Sequence, residues 1–324
     1  MTKKINDDEV KLRWIWDKPP LGLSKAPSVD VDPRTGRPSR DYSHLFESSK
    51  VQDSKLLVMQ SALTLPAESR QWLYDAWISR GELTVIAGPV GAGKSTLLCA
   101  LAAGVTIGSG FEVGPGLTSN GRGYVVYVNT EDNFQTALTP CLQVLGADLN
   151  YVRVIETRAQ QGVGDGFSFD NELHLERLAY RIQHEFESNL ALLIVEPIAS
   201  AVAGALGNDS LARRSFEGLT AFARRFNCAV VAAAHTGRNI HGKPPLDRVA
   251  GPPALRQVPR STIVLNKIAN GPTKTGGTHV AVHARNVGRV EGGLEYRIAV
   301  VEVEGPNGPI MRIPAIVTTD SGRS

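Results

Sequence analysis

One stretch of the chain combines residue types and a spacing that bind a polyphosphate. Residues 83–101 read LTVIAGPVGAGKSTLLCAL, and residues 88–95 fit the pattern G-x-x-x-x-G-K-[ST] without a mismatch. Glycines leave the backbone N–H groups free to wrap an anion, Lys94 can reach the β- and γ-phosphates, and the Ser95 hydroxyl can ligate Mg²⁺. The residues predicted to bind the nucleotide are Gly88, Pro89, Val90, Gly91, Ala92, Gly93, Lys94, Ser95 and Thr96.

Two carboxylates follow other apolar runs. Glu131 comes shortly after the run YVVYVN, and Glu196 directly follows LALLIV. Ligands of parallel α/β sheets bind at the carboxyl ends of strands, so we expect Glu131 to orient and polarise an attacking water. Asp132 is the second choice for that role, because it is also suited to cap the next helix. Ser95 and Glu196 are the predicted Mg²⁺ ligands, with Glu196 acting through water.

Glu196 stands where P-loop proteins usually have Asp. Glutamate carries the same charge on a side chain that is one methylene longer. Either the metal shifts, therefore, or the backbone lies further back. The substitution is compatible with Mg²⁺–nucleotide binding and raises the question of how fast hydrolysis is.

The second half of the chain carries a basic segment. Residues 236–290 contain nine Lys or Arg and one acidic residue, although the whole chain has a net charge of only +3. Such a block indicates either an anionic partner or a solvated basic surface. In the loop over residues 237–253 we predict that Arg238, Lys243 and Arg248 contact nucleic acid, although the loop has no aromatic residue to stack on bases.

Further candidate residues lie at strand ends and in predicted strands. His235 ends the run AVVAAA and is either a sensor of the γ-phosphate or a structural histidine. Arg260 and Arg285 could each reach a neighbouring subunit's phosphates as an arginine finger, and a surface salt bridge is the alternative for each. His279 and His283 share one face of a predicted strand without the Cys or acidic neighbours typical of a metal site.

Apolar runs alternate with helix-like stretches between residues 81 and 235, which predicts an α/β fold with a mostly parallel sheet flanked by helices. From Ser261 the chain becomes β-rich, with glycine-rich turns, and extends that sheet. The predicted strands are 83–87, 123–129, 151–155, 190–195 and 229–234. The predicted helices are 93–107, 132–145, 171–187 and 209–226.

The remaining segments are assigned by composition. We predict an extended or partly disordered segment over 1–48, a helical lead-in over 49–80 and a disordered tail over 318–324, on either side of the α/β domain over 81–317 that carries the phosphate-binding loop. In the lead-in, SRQWLYDAW is predicted as a helix with Ser69 as N-cap. Trp14 and Trp16 either dock on a partner or form a short strand on the chain's own core.

Composition is typical of a globular protein of the cytoplasm. Hydrophobic residues make up 42% of the 324 residues, and no apolar run approaches the ~18–20 residues of a membrane span. The N-terminus has no apolar core of a secretory signal. Cys99, Cys141 and Cys228 lie in apolar segments and are predicted to be reduced thiols of the core.

These motifs together resemble the RecA-like ATPase core and, more narrowly, the AAA_25 group, whose best-known members are plasmid RepA-type hexameric replicative helicases. The stretches that carry the resemblance are ISRGELTVIAGPVGAGKST, YVVYVNTED, IVEPIASAVAG, VVAAAHTGR, RVAGPPALRQVPRSTIVL and ARNVGRVEGGLEYRI. The resemblance implies that Lys94 and the loop around it bind phosphates. It implies a catalytic base at Glu131, a magnesium-linked carboxylate at Glu196 and a sensor at His235. It also implies that Arg260 and Arg285 act on the adjacent subunit's nucleotide.

The resemblance further implies the cofactors ATP and Mg²⁺ and a homo-oligomeric ring, often a hexamer, around single-stranded DNA. A helicase-like motor for replication of a plasmid, phage or mobile element is the function expected on this basis. The alternative is a slow ATP-dependent switch or scaffold in DNA replication or recombination. Such a switch would recruit partners through residues 1–48 without unwinding DNA.

Overall fold

The computed structural model describes residues 61–108, 120–129, 132–156, 169, 171–186, 189–202, 207–237, 242–267, 276–285, 293–304 and 310–317. Contacts divide the chain into one unit up to Ser69 and a second from Arg70 onward. The described part of the first unit contains a 3₁₀ turn, Ala62–Thr64, in which the Ser61 hydroxyl accepts a hydrogen bond from the Leu63 N–H. Residues 49–60 of the predicted lead-in over 49–80 lie outside the described residues.

The second unit begins with a β-hairpin in place of the predicted helix SRQWLYDAW. Strands β1 (Trp72–Tyr74) and β2 (Ile78–Ser79) pair antiparallel, and Ala76 adopts a positive φ of 59° in the turn. The prediction was wrong because tertiary contacts override the local pattern. The side chain of Tyr74 is fully buried, and its hydroxyl donates a hydrogen bond of 2.7 Å to the carbonyl oxygen of Leu101.

A large sheet forms the frame of the second unit. Its strands are β3 (Leu83–Gly88), β4 (Tyr124–Asn129), β5 (Val152–Glu156), β6 (Leu190–Glu196), β7 (Ala229–His235), β8 (Ser261–Lys267), β9 (Gly276–Arg285), β10 (Gly293–Glu304) and β11 (Ile310–Val317). Among the described residues they lie in the order β11-β10-β9-β8-β3-β7-β6-β4-β5. Neighbours from β5 to β8 are parallel, and those from β8 to β11 are antiparallel. This is the predicted RecA-like α/β fold with a β-rich extension.

Helices cover the sheet. They are α1 (Lys94–Ile107), α2 (Thr139–Val144), α3 (Glu172–Glu185), α4 (Ile198–Ala201), α5 (Asp209–Phe226) and α6 (Ala254–Gln257). Helix α1 contacts β3, β4 and β6, and α5 contacts β3 and β7. The strands between these helices are buried along almost their whole length, which explains their continuous apolar sequences. In the described part of the chain, no helix is long and apolar enough to cross a bilayer.

The first helix after β4 is shorter than predicted and begins differently. A π-helical turn, Phe134–Leu138, precedes α2, and its N-cap is Asn133, whose side chain accepts a hydrogen bond from the Thr136 N–H. The predicted cap at Asp132 is therefore wrong. The adjacent amide side chain of Asn133 is one residue closer to the N–H group that needs a partner.

The antiparallel strands pack against the helix that follows the phosphate-binding loop. Strand β11 contacts both α1 and α2, and the Cys141 thiol donates to the carbonyl oxygen of Pro314 at 3.4 Å. Ile298 of β10 belongs to the same buried cluster as α1. The C-terminal strands thus complete the core beside the candidate site.

Candidate nucleotide site

The glycine-rich loop connects β3 to α1 in a conformation that requires glycine. Gly91 and Gly93 have φ values of 75° and 78°, which L-residues rarely adopt. A Cβ on Gly93 would also lie 2.2 Å from Cδ1 of Ile298, whereas one on Gly91 would have no heavy atom within 4 Å. The loop is therefore packed at its base and open at its tip.

The other loop residues divide into exposed and buried positions. Pro89 and Val90 are exposed, whereas the side chains of Ala92 and Thr96 are almost completely buried. Helix α1 begins at Lys94 after Gly93, which offers no side-chain cap. Its first N–H groups are thus suited to an anion, and the helix dipole favours negative charge there.

Lys94 lies back over the loop. Its Nζ donates hydrogen bonds of 3.1 Å to the carbonyl oxygens of Gly88 and Pro89. The ammonium group is therefore held over the glycine-rich loop itself. This position places a cation where a polyphosphate wrapped by the loop would carry its charge.

Glu196 lies between two hydroxyl groups from different elements. The Ser95 hydroxyl on α1 donates to Oε1 at 2.7 Å, and the Tyr127 hydroxyl on β4 donates to Oε2. Burial raises the pKa of the Glu196 carboxyl, while the hydrogen bonds from Tyr127 and Ser95 act to lower it. Burial, followed by the charge of Glu196, raises the pKa of Tyr127, so the phenol keeps its proton and acts as the donor.

His235 lies next to the start of the phosphate-binding loop. It is the parallel register partner of Gly88 and is half-buried. Its carbonyl oxygen accepts a hydrogen bond of 2.9 Å from the Ala250 N–H, and the Gly237 N–H donates to the Arg248 carbonyl at 2.8 Å. A β-bridge also links residues 236 and 249. We call this set of contacts the loop clasp, because it joins both ends of the loop after His235.

The strand end at Asn129 is organised by its own side chain. Asn129 is 4% exposed and is the register partner of Glu196. Its side-chain amide donates to the Asp132 carbonyl, and its Oδ1 accepts from the Asp132 N–H at 3.3 Å. Glu131 lies between these residues in sequence but outside the described residues. Its catalytic role stays a prediction, and Asn129 and Asp132, the nearest described residues on either side of it, lie at the edge of the site.

A comparison with known protein families agrees with this geometry. The profile of AAA_25, described as an AAA domain, matches residues 47–240, which is more than half of the chain. The chain belongs to this family. The matched span includes the phosphate-binding loop, Glu196 and His235 of this AAA domain. No curated protein gives a match to the chain.

The residues of the AAA domain fit a magnesium nucleotide. Gly91 leaves open space at the loop tip, and Lys94 would supply a cation for the phosphates. The Ser95 hydroxyl and the Glu196 carboxylate are oxygen donors of the kind that Mg²⁺ prefers, and they already contact each other. Ser95 would bind the ion directly, and Glu196 would hold it through water, as the predicted roles require.

The basic loop is described only in part. Lys243 is exposed, and Arg248 is half-buried with its Nε donating to the Lys243 carbonyl at 2.9 Å. Arg238 lies outside the described residues. Contact with nucleic acid therefore remains a prediction for all three residues. The loop clasp does, however, attach the loop that carries them to the strand end at His235.

The two candidate arginine fingers lie far from the site of their own subunit. The Arg260 N–H donates to the carbonyl oxygen of Leu83 at 3.1 Å, at the start of β3. Arg285 is the register partner of Thr262 at the start of β8. Both positions therefore lie at the end of the strands opposite the phosphate-binding loop, about 16 Å away along β3. A role for Arg260 or Arg285 in a neighbouring subunit stays a prediction.

Of the two histidines of β9, His279 is buried and His283 is half-buried. His279 is 4% exposed and stacks with Tyr296 at a ring-centroid distance of 5.5 Å, and His283 lies 3.9 Å from the ring of Trp77. Each of the two imidazoles thus packs against an aromatic ring.

Sequence reasoning missed Tyr127 and Asn129 as site residues. The strand YVVYVN places both on one face, because strand side chains alternate. That face turns toward the buried cluster that includes Tyr127 and α1. Alternation indicates that Tyr127 and Asn129 share a face, but which face meets the helix carrying Ser95 depends on the register and packing of the strands.

Proposed function

We propose that this AAA domain binds ATP with Mg²⁺ and hydrolyses it as a ring-forming, helicase-like motor on single-stranded DNA. Replication of a plasmid, phage or mobile element is the corresponding biological role. The observation that carries the proposal is the contact between Ser95 and Glu196 beneath a loop that carries Lys94. Hydroxyl, carboxylate and ammonium groups converge there as phosphoryl transfer to water requires.

Each group has a separate task in the proposed reaction. The loop N–H groups and Lys94 bind and orient the phosphates, and Glu131 accepts a proton from the attacking water. Ser95 and Glu196 hold the magnesium ion, which when bound neutralises phosphate charge. His235 lies beside Gly88 and is proposed to respond to the γ-phosphate.

The loop clasp supports coupling between nucleotide and DNA. A displacement of His235 acts on the basic loop through the two backbone hydrogen bonds that form the β-bridge of the loop clasp. Lys243 and Arg248 are proposed to follow that movement while in contact with DNA phosphates. Arg260 is exposed at the end of the sheet opposite the phosphate-binding loop, and Arg260 and Arg285 are proposed to reach the nucleotide of a neighbouring subunit in the ring.

The decisive experiment measures ATP hydrolysis with and without single-stranded DNA while recording the oligomer mass. We expect DNA to stimulate turnover, nucleotide to favour a ring, and Lys94→Ala to abolish hydrolysis. The double variant Lys243→Ala/Arg248→Ala should lose the stimulation. Arg177→Ala is the matched control, because Arg177 is an exposed arginine of α3 beside β5, which lies three strands away from β7 and the loop that follows it. The motor proposal would be refuted if the chain stays monomeric with nucleotide and its rate of ATP hydrolysis does not change with DNA.

A slow ATP-dependent switch is the second candidate, and Glu in place of Asp at position 196 favours it. Glutamate carries its carboxylate one methylene further from the backbone than the usual Asp, which changes where the magnesium-linked group lies relative to Lys94 and the phosphates. In that case turnover would stay near background although nucleotide binds tightly. Deletion of residues 1–48, which lie outside the described residues, would then abolish partner binding. Brisk unwinding of DNA would exclude this candidate.

A further inference from the structure

We propose that Tyr127 is a positioning residue for Glu196, and that the two side chains form a matched pair which makes glutamate workable as the magnesium-linked carboxylate. The juxtaposition behind it is a single carboxylate shared by the hydroxyls of Ser95 and Tyr127. This inference rests on the proposed binding of a magnesium nucleotide. It assigns a role to a residue of β4 that lies two positions before the strand end.

The register of two strands brings the pair together. Strands β4 and β6 are parallel neighbours, and Asn129 is the partner of Glu196 while Tyr127 is the partner of Ile194. Tyr127 therefore begins one pleat repeat below Glu196, and its long side chain extends upward to meet the carboxylate. A shorter side chain at position 127 would end within the core.

The phenol is held rigidly. Tyr127 has no exposed surface, and its ring meets the ring of Phe134 edge to face at a centroid distance of 6.1 Å. The ring belongs to the buried cluster that also contains Leu98 and Leu142. A donor fixed in this way sets the orientation of the group that it contacts.

The terminal torsion of a glutamate is soft, so its carboxylate does not choose an orientation by itself. With Oε2 held by Tyr127, Oε1 is directed to Ser95 at 2.7 Å. An aspartate at the same backbone position would hold its carboxylate about 1.5 Å further back, one carbon–carbon bond. It would lose at least one of the two hydroxyls, because hydrogen bonds weaken quickly beyond about 3.2 Å. The longer side chain and Tyr127 are thus complementary.

The test uses the full chain and measures equilibrium binding of a fluorescent ATP analogue over a titration of Mg²⁺, together with steady-state ATPase kinetics. Tyr127→Phe should raise the Mg²⁺ concentration for half-maximal binding about 10–100-fold, the usual effect of removing an outer-shell partner. Binding of the analogue without Mg²⁺ should stay unchanged. Tyr124→Phe is the control, since Tyr124 lies on the same strand with its ring stacked on Tyr151 and Phe186.

A second arm leaves Tyr127 in place and replaces Glu196. Glu196→Asp should also raise the Mg²⁺ concentration for half-maximal binding, although it introduces the usual residue of P-loop proteins. In that background Tyr127→Phe should add less than about 2-fold, because residues that act through one contact are not additive. Two results would overturn the matched pair. One is a Glu196→Asp variant that needs no more Mg²⁺ for half-maximal binding than the wild type. The other is an effect of Tyr127→Phe on that concentration that is the same with Glu196 and with Asp at position 196.

The outcomes separate the inference from the function on which it rests. If the wild-type chain binds the analogue with no Mg²⁺ dependence, the proposed function fails and the inference fails with it. If the wild type shows the dependence and Tyr127→Phe matches Tyr124→Phe, only the inference fails. Thermal unfolding of each variant shows whether a loss of binding comes from a loss of folding. If Tyr127→Phe does not fold, the Glu196→Asp variant, which keeps Tyr127, tests the inference instead.

Discussion

Replacement of Gly93 by alanine tests whether the C-terminal strands support the phosphate-binding loop. Gly93 has φ 78° and ψ 24°, and a left-handed backbone costs an alanine about 1–2 kcal/mol. The new Cβ would also lie 2.2 Å from Cδ1 of Ile298, so that side chain must move. Overpacking of this kind costs about 2 kcal/mol. Gly91→Ala has a similar φ and an open surrounding, and it carries the backbone cost alone.

The assay is thermal unfolding of both variants without nucleotide. Gly93→Ala should unfold about 4–8 °C below Gly91→Ala, because 1 kcal/mol shifts the midpoint by about 2–4 °C in a domain of this size. Ile298→Val removes Cδ1 and leaves Cγ1 at 3.7 Å from the new Cβ, which is an ordinary contact. The double variant should therefore recover most of the steric cost. Equal midpoints for Gly91→Ala and Gly93→Ala, or no recovery with Ile298→Val, would refute the reasoning.

Other predictions follow from single side chains. Asn129→Ala removes both hydrogen bonds to Asp132 and should slow ATP turnover about 10–100-fold with little change in nucleotide affinity, measured by kinetics and equilibrium binding. Burial lowers the pKa of His283, so an unfolded chain binds its proton first and stability should fall as the pH drops below about 6.5. Between pH 7 and pH 5 the urea midpoint of the wild type should fall, and that of His283→Phe should change less. Burial raises the pKa of Cys228 to about 12, so its thiol should be alkylated at pH 8 only after the protein unfolds. Mass spectrometry of the native and the unfolded protein measures this difference.

The central strands were predictable from sequence because burial on both faces gives continuous apolar runs. The prediction 190–195 became Leu190–Glu196, and 229–234 became Ala229–His235, so the type of element is confirmed and only its end differs. The hairpin at Trp72–Tyr74 was not predictable by this route. Tyr74 in its first strand is fixed by a hydrogen bond to the backbone of α1, and its second strand contacts β3 and β7, all of which a local pattern does not contain.

The site was predictable where function requires a residue at a strand end. Ser95 and Glu196 were paired on that logic, and their hydroxyl and carboxylate do meet. Tyr127 was missed because its contact depends on the register between β4 and β6, which is a long-range property. The strand order that brings His235 beside Gly88 is likewise set by packing of the whole sheet.

The loop clasp has a consequence for how this protein can change over time. Because residues 235–237 and 248–250 are already held together, a longer or different tip between them adds little closure entropy, about 0.6 kcal/mol for each doubling of length. Insertions at such tips are generally tolerated. The sequence and length of the tip can therefore diversify while the strand end at His235 stays where it is. The same position offers a site for grafting a reporter peptide.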